Sequence, residues 1–152
     1  MIKNDEYFME IAIKIALDAR KAGNEPFGAI LVKDNEIVMI GENKMNTMSD
    51  PTHHAEIGLI RDYCIENRTL DLSEYTLYTS CEPCVMCSGA IVWSKLGKLV
   101  YSVSHDQLAK IAGSNIMIPC KEVFESSPNH PVLVEKILNE EGLKVFDNYT
   151  FV

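Results

Sequence analysis

The sequence predicts a layered α/β domain in which helices cover a mixed sheet, and three observations carry that prediction. Apolar residues recur at helical spacing near the N-terminus. Two apolar stretches then meet at a short polar turn, and beyond them short apolar runs alternate with segments opened by cap residues and proline. In the first helix, over 5–22, Phe8, Ile11, Ala12, Ile15, Ala16 and Ala19 mark the buried stripe and Gly23 ends the run. The hairpin pairs Phe27–Lys33 with Glu36–Glu42 across Asp34-Asn35.

Asp50-Pro51 reads as a cap followed by a first-turn proline, opening a helix that carries Ala55, Leu59, Ile60 and Tyr63. Glu74–Thr79 reads as a short strand, and Pro83 as the start of a third helix that runs to Lys95 and stops at Gly97. Lys98–Ser102 is a fourth strand, Val132–Val134 a fifth, and a terminal helix begins near Asn139. The strand-to-helix turns of this arrangement put the polar motifs at one edge of the sheet.

Composition narrows the functional classes. A length of 152 residues fits a single domain, and 47% hydrophobic with 24% charged residues is globular rather than disordered. There is no apolar run of the length a bilayer requires, and Met1-Ile2-Lys3-Asn4-Asp5 is no signal segment. A cytoplasmic protein with no membrane partner is expected. Fourteen basic against 22 acidic residues give a net charge of −8, a field that opposes a phosphate backbone and lowers the expectation of a nucleic-acid partner. Five cysteines is an odd number, and Cys81, Cys84 and Cys87 crowd together. Such a cluster reads as metal-binding or redox-active rather than as a disulfide framework.

Two segments carry the chemistry: His54-Ala55-Glu56 and Pro83-Cys84-Val85-Met86-Cys87, each at the start of a predicted helix. Cys84 and Cys87 are three apart and share one helical face, near the positive helix end that favours a thiolate. One imidazole and two thiolates match a catalytic zinc site with three protein ligands and an open fourth position. Glu56, too close to His54 in sequence to ligate the same metal easily, is placed to move protons between water, a ring nitrogen and a departing amine. Blander readings stand beside this one. His54 with Cys81, Cys84 and Cys87 can close a four-ligand structural site, and the domain would then be a non-enzymatic binding module. An iron–sulfur run would want a cysteine where Ile91 stands. His53 reads as a solvated or supporting residue, and Cys64 and Cys120 as small buried hydrophobes.

With these residues in view, the chain resembles the cytidine deaminase-like superfamily, whose signature is His-x-Glu followed by Pro-Cys-x-x-Cys. The likeness extends over Pro26-Phe27-Gly28-Ala29, Asn43, Asp50-Pro51-Thr52, His54-Ala55-Glu56, Thr79 to Cys87 and Gly89-Ala90. It implies a three-layer α/β/α fold with a central five-stranded mixed sheet, and one zinc-dependent deaminase domain over residues 1–152. It implies Zn²⁺ held by His54, Cys84 and Cys87, with Glu56 as the catalytic proton shuttle. It places Asn43 against the base or its sugar, although an ordinary turn residue is an equal reading of that position. It adds Phe27, Ala55 and Glu82 to the substrate-binding set, and a homodimer in which the Pro-Cys-x-x-Cys helix lies near its mate. The similar position in bacterial guanine deaminases also carries a cysteine that is no ligand, which favours the open site over Cys81 ligation.

Within the superfamily the chain resembles bacterial guanine or nucleoside deaminases and tRNA adenosine deaminases. Thr79-Ser80-Cys81-Glu82-Pro83-Cys84-Val85-Met86-Cys87 looks like the former, as does the acidic charge. Ala112-Gly113-Ser114-Asn115 and Asn129-His130 look like the latter, because guanine deaminases carry acidic residues in the first of these segments. Cytosine deaminases share the Cys-x-Met-Cys helix and use a C-terminal acidic residue, for which Asp147 is the candidate. The expected substrate is a free nucleobase or nucleoside, a guanine-type purine first, with tRNA adenosine the alternative and cytosine after it. Phe146, Tyr149 or Phe151 would close an apolar ring clamp, or else serve as ordinary helix packing.

Overall fold

Alternating side chains bury both faces of the central strands. In the computed structural model, which describes residues 1–151, the strands are β1 (Gly28–Lys33), β2 (Glu36–Glu42), β3 (Thr76–Cys81), β4 (Lys98–Val103) and β5 (Val132–Val134). They form one sheet in the order β2-β1-β3-β4-β5. β1 pairs antiparallel with both β2 and β3, whereas β3–β4 and β4–β5 are parallel. Ile30, Val32, Tyr78 and Val100 point to one face, and Ala29, Leu31, Leu77 and Leu99 to the other.

The helices are α1 (Asp5–Lys21), α2 (Met45–Met48), α3 (Ala55–Asn67), α4 (Val85–Trp93), α5 (His105–Ala112), α6 (Cys120–Glu125) and α7 (Asn139–Lys144). α1 lays Phe8, Met9, Ala12, Ile13 and Ala16 on the first face, where Val145 and Phe146, just beyond α7, join them. Leu59, Ile60 and Tyr63 of α3, Ile91 of α4 and Phe124 of α6 cover the second. The expected three layers are present.

Several boundaries move, each for a local reason. Asp50-Pro51 does not open a helix. The Asp50 side chain accepts from the Thr52 amide and hydroxyl, closing a turn, and α3 begins four residues later at Ala55. Phe27 lies outside β1, because its carbonyl accepts from Asn43 N–H and its own N–H closes a turn onto Glu25. The third predicted helix is shorter, Val85–Trp93, with Cys84 as its N-cap and Lys95 in the left-handed region beyond it. β3 starts later than expected and runs on to Cys81. The hairpin turn is as read: Asp34 and Asn35 both have positive φ, 50° and 65°, as a two-residue primed turn requires.

α2, α5 and α6 were not expected. α5 had a readable signal, since Ser104 and Gln107 form a reciprocal capping box.

The α1–β1 contact depends on an absent side chain. A Cβ on Gly28 would sit 2.5 Å from the Ala16 nitrogen and 2.6 Å from the Ala12 carbonyl oxygen. These are helix backbone atoms that cannot yield alone. Gly28→Ala is therefore expected to cost about 1–3 kcal/mol of unfolding free energy, the usual range for overpacking. Urea denaturation of the two proteins measures it.

Candidate active site

Two helix N-termini converge at one edge of the sheet. His54 is the N-cap of α3 and Cys84 the N-cap of α4, both extended, and neither side chain caps its own helix. Each is thereby free to turn outward. His54 Nδ1 and Cys84 Sγ are 3.5 Å apart. Cys87, one turn into α4 and buried, completes a group whose ligand atoms all lie within 4.8 Å of one another.

That geometry fits zinc. Bonds of about 2.3 Å to sulfur and about 2.0 Å to nitrogen at the tetrahedral angle put the two ligand atoms roughly 3.6 Å apart. The donor set, one imidazole and two thiols, suits the same ion. Cys81 is not part of this group. It lies buried in the adjacent cavity wall, and desolvation pushes its thiol well above the usual range. The three-ligand arrangement, rather than the four-ligand closed one, is what the side chains form.

The three groups share protons as a unit. The hydrogen bond with Cys87, then that with His54, holds Cys84 down at about 4. The bond with Cys84 raises Cys87 well above its ordinary value and, for His54, outweighs burial to raise the imidazole too. The positive ends of α3 and α4 also favour negative charge at this point. Glu56, in the first turn of α3, is buried beside them. Desolvation, reinforced by the Cys84 charge, pushes its carboxyl up to about 7.

A cavity of about 460 Å³ opens onto the group, within the ~300–1,000 Å³ typical of small-molecule sites. Phe27 and Glu82 lie on its wall, as does Phe151. Asn43 and Ala55 lie behind the wall, 1% exposed each. Asn43 Oδ1 accepts from Met45 N–H, while the Ala55 methyl packs into the core at the start of α3. Glu82 has no carboxylate oxygen to spare, because Oε1 accepts from His105 N–H and Oε2 from Cys120 N–H. It ties α5 and α6 to the end of β3. His53 faces Asp50 at 3.8 Å and packs over Gly58, supporting the 50–54 turn from outside the ligand group. Cys120 is buried as read, and Cys64 is half-buried with a free thiol.

Among the wall residues that sequence reasoning missed are Glu25 and His105. His105 Nδ1 is buried with no hydrogen-bond partner among the described residues. Of the C-terminal aromatics, only Phe151 reaches the cavity wall, 6.2 Å centroid to centroid from Phe27. Phe146 packs in the core and Tyr149 meets Phe151 edge-on. All three lie beyond the end of α7 rather than on it.

Comparison with known proteins agrees with this geometry. Residues 2–103 match the family described as the cytidine and deoxycytidylate deaminase zinc-binding region. The chain belongs to that family: it is a zinc-dependent deaminase, a hydrolase acting on C–N bonds. It is 36% identical to a guanine deaminase from Bacillus subtilis (strain 168), over 94% of this chain and 92% of that one. It is 34% identical to a tRNA-specific adenosine deaminase from Buchnera aphidicola subsp. Schizaphis graminum, over 95% and 93%. Among solved structures, a tRNA:A34 deaminase superposes with a TM-score of 0.77 at 28% identity, covering 91% of this chain and 98% of its own.

Metal content of single variants tests the ligand set. The protein is expected to hold about one zinc per chain, to lose it in Cys84→Ser and to keep it in Cys81→Ser. Elemental analysis of the purified variants reads this directly; loss in both would make Cys81 a fourth ligand.

Proposed function

We propose that this enzyme hydrolytically deaminates a small nucleobase or nucleoside, with a guanine-type purine as the favoured substrate. The observation that carries this reading is the charge of the cavity wall. Glu25, Glu56 and Glu82 line it, and no lysine or arginine does among the described residues. A polynucleotide needs cationic contacts to its phosphates. A neutral heterocycle needs an apolar clamp and a few polar groups, and Phe27, Phe151 and Leu108 supply the former.

In this reading His54, Cys84 and Cys87 hold the ion, which when bound acts as a Lewis acid that activates water at neutral pH. The Glu56 carboxylate takes a proton from the attacking water and passes it to the ring nitrogen beside the amine-bearing carbon. It then takes the second proton from the hydroxyl now on that carbon and delivers it to the amine; the C–N bond breaks, ammonia leaves and a ring carbonyl remains. The amide nitrogen of Asn43 makes no protein hydrogen bond among the described residues, but the side chain lies behind the cavity wall, so a bond to the base or its sugar would need the wall in front of it to open. Glu82 acts on the substrate only through the wall it holds in place.

The tRNA reading keeps one specific support. The wall segment Ala112-Gly113-Ser114-Asn115 carries no acidic residue, and a tRNA-specific relative is 34% identical. Ammonia release over guanine, cytosine, adenine, their nucleosides and tRNA separates the two. Turnover of guanine-type compounds well above tRNA is expected, and inosine formation in tRNA with no turnover of any small heterocycle would overturn the proposal. Glu56→Ala is expected to keep zinc and fold yet lower turnover at least ~10²-fold, the scale of a lost general acid–base.

α4 supports a homodimer. Ile91 is fully buried, but Val85, Met86, Gly89 and Ala90 are only part-covered and Trp93 is 86% exposed, one stripe at helical spacing. A second copy is the cover expected for such a face. Light scattering at micromolar concentration is expected to show a dimer that Trp93→Asp dissociates; a monomeric parent protein would refute it.

A further inference from the structure

We infer that Glu25 is a specificity-determining carboxylate, selecting rings that present an N–H donor beside the reacting amine and disfavouring an adenosine embedded in RNA. The inference rests on the deaminase reading above and names the feature of the substrate that the site selects.

Three carboxylates line the cavity, and two are accounted for. Glu56 is the proton shuttle, and both Glu82 oxygens accept backbone N–H groups. Glu25 is different. It is half-buried, and among the described residues its carboxylate makes no hydrogen bond or ion pair. Burial raises its pKa and the His54 charge opposes that rise; Glu25 and His54 lie on the wall of the same cavity.

Its backbone is held firmly. Asn24 is 2% exposed, and its Oδ1 accepts from the N–H groups of Asn46 and Thr47 while its Nδ2 donates to the Thr47 hydroxyl. Asn24 N–H donates to Ala19 O and Phe27 N–H to Glu25 O, with Pro26 between. The loop is thus fixed at both flanks of Glu25. A part-desolvated carboxylate on a fixed backbone, with its acceptors free, is a ready partner for a donor on a bound ligand.

Ligand chemistry then selects. Guanine carries a ring N1–H donor beside its 2-amino group. Adenosine in RNA has none, because its only N–H groups are those of the amine that must meet the metal, and its phosphates would be repelled. Glu25 occupies the role left open by the absence of acidic residues from Ala112 to Asn115.

Steady-state kinetics of wild type, Glu25→Gln and Glu25→Ala test this, with guanine, 1-methylguanine, 9-methylguanine and an adenosine-containing tRNA anticodon stem-loop. Zinc content and thermal melting serve as controls; with no internal partner, the glutamine variant is expected to match wild type in both. Loss of a charge-assisted hydrogen bond is expected to raise KM for guanine at least ~10-fold, with kcat within about threefold. Discrimination against 1-methylguanine, which lacks the N–H beside the amine, should shrink by the same factor, whereas 9-methylguanine, which keeps it, should lose affinity in the variants as guanine does. Unchanged KM and unchanged discrimination, with guanine turned over by wild type, overturn the role of Glu25 and leave the substrate reading intact. A wild type that deaminates only the stem-loop overturns both. A fall in kcat alone makes Glu25 a positioning group for His54 and contradicts the inference.

Discussion

The convergence of two helix N-termini on one cation site is the constraint on which the rest of the structure depends. α3 and α4 each begin where the chain leaves an extended segment, and each begins on a member of the candidate metal group, His54 or Cys84. Two positive helix ends brought together repel one another unless negative charge sits between them and the metal. Cys84, held low by its neighbours, and Cys87, which an ion would deprotonate on binding, would supply that charge and two donors at once. The parallel β3–β4 pair sets where α4 starts, and the β1–β2 hairpin supplies the surface on which α3 lies. Gly41 is part of this fit, because a Cβ there would collide with the Ala55 carbonyl oxygen and push α3 off the sheet.

The cavity follows from what surrounds those two ends. Glu82 holds the first residues of α5 and α6 by their amides, so the wall opposite the ligands hangs from the residue beside the metal helix. The α1–β1 loop, pinned to α2 through Asn24, brings Glu25 and Phe27 to the other side. Phe151 closes the apolar end against Phe27. The wall so formed combines the apolar side chains of Phe27, Leu108 and Phe151 with the carboxylates of Glu25, Glu56 and Glu82, which is the feature that the proposed small heterocycle rests on.

Much of this was legible in the sequence because it rests on local pattern. The buried stripe of α1, the Asp34-Asn35 turn and the β2 limits are properties of spacing and backbone preference, and the structure reproduces them. That His54, Cys84 and Cys87 come together was legible because a metal demands particular donors at particular separations, and the structure brings those three side chains within reach of one ion. The helix start at Asp50-Pro51 was misread for an instructive reason: the true N-cap is His54, a poor capping residue whose side chain makes no cap hydrogen bond. Short elements such as α2 and α6 are fixed by tertiary hydrogen bonds to Asn24 and Glu82 and leave little trace in periodicity. Glu25 was missed because no spacing rule marks a lone carboxylate that becomes significant only when a distant loop folds over it. No helix among the described residues is long and apolar enough to cross a membrane, in keeping with the absence of an apolar run in the sequence.

The central claim is that His54, Cys84 and Cys87 form an open three-ligand site with Cys81 outside it. X-ray absorption at the zinc edge of the purified protein tests this most directly. The account predicts two sulfur scatterers at about 2.3 Å and two lighter nitrogen or oxygen scatterers at about 2.0–2.1 Å. A first shell of three sulfurs and one nitrogen would contradict it, because Cys81 would then close the position the reaction needs.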